Sequence, residues 1–156
     1  MGKGEKHKKT GSGVVREEAV REYGPRRLSS KRHVATVQVI EQISKGLPFS
    51  EIEHLRAEID EPLESLAHQL SISRSTLQRR RAERRLSPQE SDRVMRFWKL
   101  IRQAVKLFGS IDRARAWLKH PQFGLGGAVP LDFAKTEIGA REVEDLLGRI
   151  EFSVYS

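Results

Sequence analysis

The sequence predicts an all-α protein in two parts. Three observations carry that prediction. Apolar residues after His33 recur at steps of three and four, the period of a buried helix face. Serine, proline and glycine punctuate these runs where helices start and stop. No segment sustains the two-residue alternation of a half-buried strand, and no internal repeat is evident.

Residues 1–33 read as a flexible basic arm. Met1 to Gly13 is lysine, glycine and serine without periodicity, and Val14 to Arg32 is mostly charged. A short helix over Val15 to Tyr23 is the most this stretch offers, and Gly24-Pro25 breaks it. Packing is expected to begin near His33, where Val34, Val37, Ile40 and Ile43 form one buried face. Gly46 and Pro48 end that helix. Ser50 and Glu53 read as a capping box for the next, whose face is Ile52, Leu55 and Ile59. Glu61-Pro62 opens a third helix, with the proline near its first position.

Leu63 to Arg81 fits a helix-turn-helix. Leu66, Ala67 and Leu70 face inward on the first helix, with Ala67 small enough for close approach. Ser71-Ile72-Ser73 makes the turn, with Ile72 as its buried plug and Ser71 where glycine is usual. Ser73 caps the second helix, and Leu77 anchors it.

Ser87-Pro88-Gln89-Glu90 starts the most apolar helix, with serine as cap, proline at its first position and glutamate at its third. Val94, Phe97, Trp98, Ile101, Val105 and Phe108 form one stripe, with Leu100, Ala104 and Leu107 beside it. That width exceeds one core face, so the helix reads as central and as a candidate seam for a second copy. Gly109 ends it, and Ser110 caps a short helix with Ala114, Trp117 and Leu118 that Pro121 stops. A loop runs from Gly124 to Pro130, and Pro130 starts another helical turn. Gly139 separates that turn from a last helix facing inward through Val143, Leu146, Leu147 and Ile150. The expected domains are 34–86 and 87–156, the second ending in a short amphipathic tail.

The chain has 156 residues, a net charge of +8 and no cysteine, which excludes disulfides and thiolate metal sites. No stretch is apolar and long enough to cross a membrane, no signal peptide is visible, and cytoplasm is the expected compartment. The five histidines (His7, His33, His54, His68 and His120) lack ligand spacing, and no phosphate cradle, serine elbow or carboxylate pair appears. Neither catalysis nor a metal or cofactor is expected.

The positive excess favours a polyanion, nucleic acid being the usual one; the alternative is charge kept for solubility. Arg74, Arg79, Arg80, Arg81, Arg84 and Arg85 lie within twelve residues that hold one acid, Glu83. With the second helix in the major groove, Ser73, Arg74, Ser75, Thr76, Gln78, Arg79 and Arg80 are the candidate DNA contacts. The competing reading is a helical hairpin with a solvated basic face.

A set of residues in fixed order extends the reading. Leu86-Ser87, Glu90-Ser91 and Arg93 are followed by Ala114, Trp117-Leu118 and Pro121. Then come Leu125-Gly126-Gly127, Pro130-Leu131, Thr136, Gly139, Val143, Leu146-Leu147 and Arg149-Ile150-Glu151. From Val34 to Ser156 the chain resembles the Xre/MbcA/ParS-type antitoxins, partners of RES-type toxins. The resemblance implies an Xre-like helix-turn-helix domain that represses its own operon from operator DNA. It also implies a C-terminal domain that neutralises an NAD-consuming RES-family toxin by occluding its active site. The toxin contacts it implies are Arg149, Glu151, Phe152, Ser153, Val154, Tyr155 and Ser156. Phe152 and Tyr155 would be rigid anchors, and Ser153 departs from an expected glycine. A homodimer, or a higher hetero-oligomer with toxin, is expected because palindromic operators need paired recognition helices. The rivals are a regulator whose C-terminal domain only dimerises and an adaptor that binds no DNA.

Overall fold

The computed structural model of the chain describes residues 27–155, with side chains over 34–154. Among the described residues there are eight α-helices, one 3-10 turn and no strand. The helices are α1 (Arg27–Lys45), α2 (Ser50–Ile59), α3 (Leu63–Gln69), α4 (Arg74–Glu83) and α5 (Pro88–Phe108). After them come α6 (Ile111–Lys119), the 3-10 turn (Phe123–Leu125), α7 (Pro130–Phe133) and α8 (Glu137–Tyr155). The chain divides between Ile40 and Glu41 into two units.

In the first unit, the helix begins at Arg27, inside the stretch expected to be an arm. The short helix over 15–23 and the break at Gly24-Pro25 lie outside the described residues. Val34, Val37 and Ile40 are not a buried face: they are 56%, 42% and 56% exposed. The expectation fails because periodicity reports that a helix has an apolar side, not that anything covers it.

The second unit has one continuous core. Its axis is α5, which packs against α2, α6 and α8. Val94, Phe97, Leu100, Ile101 and Ala104 are buried, and Trp98, Val105, Leu107 and Phe108 pack around them. Much of the width of the stripe is thus used within the chain. Phe108 also meets Trp117 of α6, ring centroids 5.7 Å apart.

Local signals explain most boundaries. Ser87 accepts a hydrogen bond from the Glu90 N–H, and the Glu90 carboxylate accepts one from the Ser87 N–H at 2.7 Å. That reciprocal box fixes the start of α5, and Gly109 closes the helix with a left-handed φ of 79°. Ser110 accepts from the Arg113 N–H and starts α6.

Three expectations are corrected. No capping box forms at Ser50, which lies inside α2; Phe49 is the N-cap and makes no side-chain cap bond. Pro62 sits at the N-cap of α3 rather than just inside it. Gly139 lies within α8, not before it, and a Cβ there would stand 1.8 Å from the Phe133 carbonyl oxygen. It is a close-approach residue, and the Thr136 hydroxyl accepts from its N–H at 3.0 Å.

Candidate nucleic-acid and partner surfaces

The helix-turn-helix forms as its sequence requires. Leu66, Ala67, Leu70, Ile72 and Leu77 are all buried, so α3 and α4 share one apolar seam. The Ile72 N–H donates to the Ala67 carbonyl at 2.8 Å, tying the turn to α3. Ser71 adopts φ 54°, the left-handed conformation that glycine would take without strain. A cation from another helix stabilises that turn: Arg93 of α5 donates to the Leu70 and Ser71 carbonyls, each at 3.2 Å.

α4 presents its N-terminal end to solvent. Arg74, Ser75, Gln78 and Arg79 are exposed. Ser73 is the N-cap, accepting from the Thr76 N–H at 3.2 Å and donating to the Thr76 hydroxyl at 2.9 Å. Ser73 and Thr76 therefore shape the helix start while Arg74, Gln78 and Arg79 stand outward.

Arg80, counted from sequence with the DNA contacts, is engaged elsewhere. Its Nε donates to Glu90 and its Nη1 to Glu83, each at 2.7 Å. Hydrogen bonds to Glu83 and then Glu90 raise its affinity for its proton. Burial pushes the Glu90 carboxyl up, but bonds from the Ser87 backbone and from Arg80 outweigh it, leaving Glu90 below the usual carboxylate range. Arg81 lies over the Phe49 ring at 5.7 Å, and Arg85 donates to the Lys45 and Gly46 carbonyls. Half of the six-arginine cluster thus clamps the fold. Sequence density of charge cannot separate a clamping arginine from a displayed one.

The residues in fixed order after Leu86 turn out to be joints. The buried Ser91 hydroxyl accepts from the Leu47 N–H at 2.8 Å and donates to the Ser87 carbonyl. Ala114, Leu118, Leu125, Pro130, Leu131, Val143 and Leu147 are buried. Gly126 and Gly127 take left-handed φ of 64° and 86° in the loop. α6 caps the C-terminal end of α2: Arg115 donates to the Glu58 carbonyl at 2.6 Å and Lys119 to the Asp60 carbonyl at 2.7 Å.

α8 carries the residues expected to meet a partner. Lys99 pairs with Glu144 at 2.5 Å and Lys106 with Glu151 at 2.8 Å, seven residues further along each helix. α5 and α8 therefore run parallel and in step. The expected tail is not a separate segment, because α8 continues unbroken through Tyr155. Arg149, Phe152, Ser153 and Val154 are exposed, Phe152 by 78%, while half-buried Glu151 turns to Lys106. Ser153 donates back to the Ile150 carbonyl at 3.0 Å. The Tyr155 side chain and Ser156 lie outside the described residues. Among the described residues, no group of three His, Asp or Glu is placed to hold a metal.

Comparison with known proteins agrees with this layout. Residues 38–97 match the antitoxin Xre-like helix-turn-helix domain, and residues 103–152 match the antitoxin Xre/MbcA/ParS C-terminal toxin-binding domain. A protein of Yersinia enterocolitica named antitoxin Xre is 36% identical over 121 residues, covering 76% of this chain and 81% of that protein. One of Photorhabdus laumondii with the same name is 44% identical over 68 residues, 43% of this chain and 46% of its own. A third, from Pseudomonas putida, is 32% identical over 65 residues, 42% of this chain and 41% of its own. With one domain match on each side of residue 100 and a relative that spans three quarters of it, this chain belongs to the Xre antitoxin family.

Proposed function

We propose that this chain is a type II antitoxin that neutralises a cognate RES-family, NAD-consuming toxin and represses its own operon. The observation that carries the reading is the placement of α8. It ends the region that matches a toxin-binding domain, and its last two turns hold Arg149, Phe152, Ser153 and Val154 outward. In this reading Arg149 and residues 151–156 enter and block the toxin's active-site cleft. Phe152 and Tyr155 are the apolar anchors, since aromatic side chains bury much area at low ordering cost. They enter as the end of a helix, with no loop needing to be ordered first.

The N-terminal part binds operator DNA through Arg74, Ser75, Gln78 and Arg79, with Ser73 and Thr76 setting the helix end against the phosphates and Arg80 positioning α4. Two copies act together on a palindromic operator, alone or in a larger complex with toxin. The reading places the protein in the cytoplasm; no described helix is long and apolar enough to cross a membrane.

The test is growth of cells that express the neighbouring reading frame together with this chain, whole or ending at Ile150. The proposal expects toxicity that only the whole chain relieves. Equal rescue by the shortened chain would remove the blocking role of residues 151–156. A harmless neighbour would favour the other reading, a regulator whose C-terminal half only dimerises.

A further inference from the structure

We infer that the partner contact extends well beyond the last turn of α8, along its whole open face, with Phe123 as a second anchor. The inference rests on the antitoxin reading and names the partner's chemistry. It is a protein surface with an apolar socket bordered by basic side chains.

The first observation is Phe123, which is 101% exposed at the tip of the 3-10 turn. An exposed phenylalanine alone is ordinary. Here the turn beneath it is tightly held. Gln122 exchanges backbone bonds with Ala128 and Gly127 at 3.0 and 2.9 Å, and the Gly126 N–H returns to the Phe123 carbonyl at 3.0 Å. The Gln122 side-chain amide donates to the Trp117 and His120 carbonyls at 2.9 and 3.0 Å. Leu125 is buried below, and a Cβ on Gly124 would stand 2.6 Å from the Leu146 side chain of α8. The ring is thus displayed on a support that loses little entropy on binding, the property of an anchor residue.

The second observation is the helix beside it. Ile138, Glu142, Asp145, Arg149 and Phe152 follow at steps of four and three, and all are exposed. They form one stripe on the side of α8 away from buried Ala140, Val143 and Leu147. Ile138 is 77% exposed at its start, and Phe133, 38% exposed, ends α7 against Gly139. Gly139 and Leu146 lie on one edge of α8, seven residues or about 10 Å apart. The Phe123 turn and the end of α7 therefore flank the same side of the stripe.

Charge selects the partner. Of the five acids on α8, Glu137, Glu144 and Glu151 pair with Arg141, Lys99 and Lys106, so the stripe itself carries Glu142, Asp145 and Arg149, net −1 in a chain of +8. This face lacks the positive excess that a polyanion needs, and Glu142 and Asp145 suit basic side chains on a protein surface. It lies within the residues that match a toxin-binding domain.

The test measures binding of the full chain to the purified product of the neighbouring reading frame, by calorimetry. Phe123→Ala is expected to weaken binding 10- to 100-fold and Ile138→Ala several-fold, with Phe123→Tyr close to the unaltered chain. The midpoint of thermal unfolding and binding to operator DNA should not change. If the unaltered chain binds and Phe123→Ala binds within twofold of it, the extended surface is wrong while the antitoxin reading stands. If Phe123→Ala also lowers the unfolding midpoint, Phe123 is structural and the inference fails. If the unaltered chain does not bind, both readings fall.

Discussion

At Ser71 a single torsion sets a measurable cost. A serine held at φ 54° is strained by about 1–2 kcal/mol, part of which glycine would lose again through greater unfolded-state freedom. Ser71→Gly is expected to stabilise the protein by about 0.5–1 kcal/mol in chemical denaturation. Its DNA affinity should not change, because Arg93 holds the Leu70 and Ser71 carbonyls in either case. Glu90 gives a pH signature. Its folded pKa lies below the ordinary 4.5, so its ionised form favours folding. That contribution is complete above about 4.5 and is lost as pH falls through the depressed folded value. Glu90→Gln weakens the bonds from the Ser87 N–H and Arg80, which should cost about 1–2 kcal/mol at pH 7, and it should flatten the acid limb of the stability curve. Denaturation at pH 7 and at pH 3 checks both, and an unchanged acid limb would remove Glu90 from the account. Arg79 and Arg80 are neighbours with different expected outcomes. Arg79→Ala should weaken operator binding and lower the salt slope by about 1, without affecting stability. Arg80→Ala should mainly destabilise, because it strands the buried Glu90 carboxylate.

Helix boundaries were legible where a local device sets them. The Ser87–Glu90 box, Gly109, Ser110 and Pro130 are short-range signals, and the structure uses each as the sequence implies. The misreadings fall where tertiary contact decides. Gly139 reads as a separator because glycine disfavours helix interiors, yet it lies inside α8, where the Phe133 carbonyl leaves no room for a Cβ. The end of α8 was set too early because its apolar period stops at Ile150. Beyond that residue Phe152, Ser153 and Val154 are exposed, although the helix continues through Tyr155. α1 shows the converse, an apolar period that stays exposed at Val34, Val37 and Ile40. On the candidate surfaces, the exposed positions of α4 were readable from the helical period, but the duty of Arg80 was not, since Glu90 lies ten residues away on another helix. The close approach at Gly139 has a direct test. Gly139→Ala should destabilise by about 2–3 kcal/mol, as overpacking against rigid backbone does. Gly148→Ala, with open space around its Cβ, should be neutral or slightly stabilising.

Across the whole molecule, the two matched domains share one fabric from Glu41 onward. Arg93 reaches back from α5 to the helix-turn-helix turn, and Arg115 and Lys119 of α6 cap α2. On the same side, Gln69 of α3 approaches Asp132 of α7 at 3.5 Å, and Lys135 donates to His68 at 3.2 Å. The buried residues form a single cluster from Leu47 to Leu147. Unfolding of this unit is therefore expected to be one cooperative transition in calorimetry, with equal calorimetric and van't Hoff enthalpies. Two separate transitions would mean that the joints contribute little. The same reasoning makes a chain ending at Ile150 a fair probe of partner binding. Among the described residues it loses Phe152 and Val154, which are 78% and 65% exposed, and the surface ion pair Lys106–Glu151. These side chains lie mostly in solvent, and an exposed pair contributes about 0.2–1 kcal/mol. The midpoint should then fall by less than about 4 °C. With folding so little changed, failure of the shortened chain to protect cells would report a lost contact with the partner. A fall of ten degrees or more would show instead that the last turn of α8 stabilises the fold, and the protection assay would then have to rest on Phe152→Ala in the full chain.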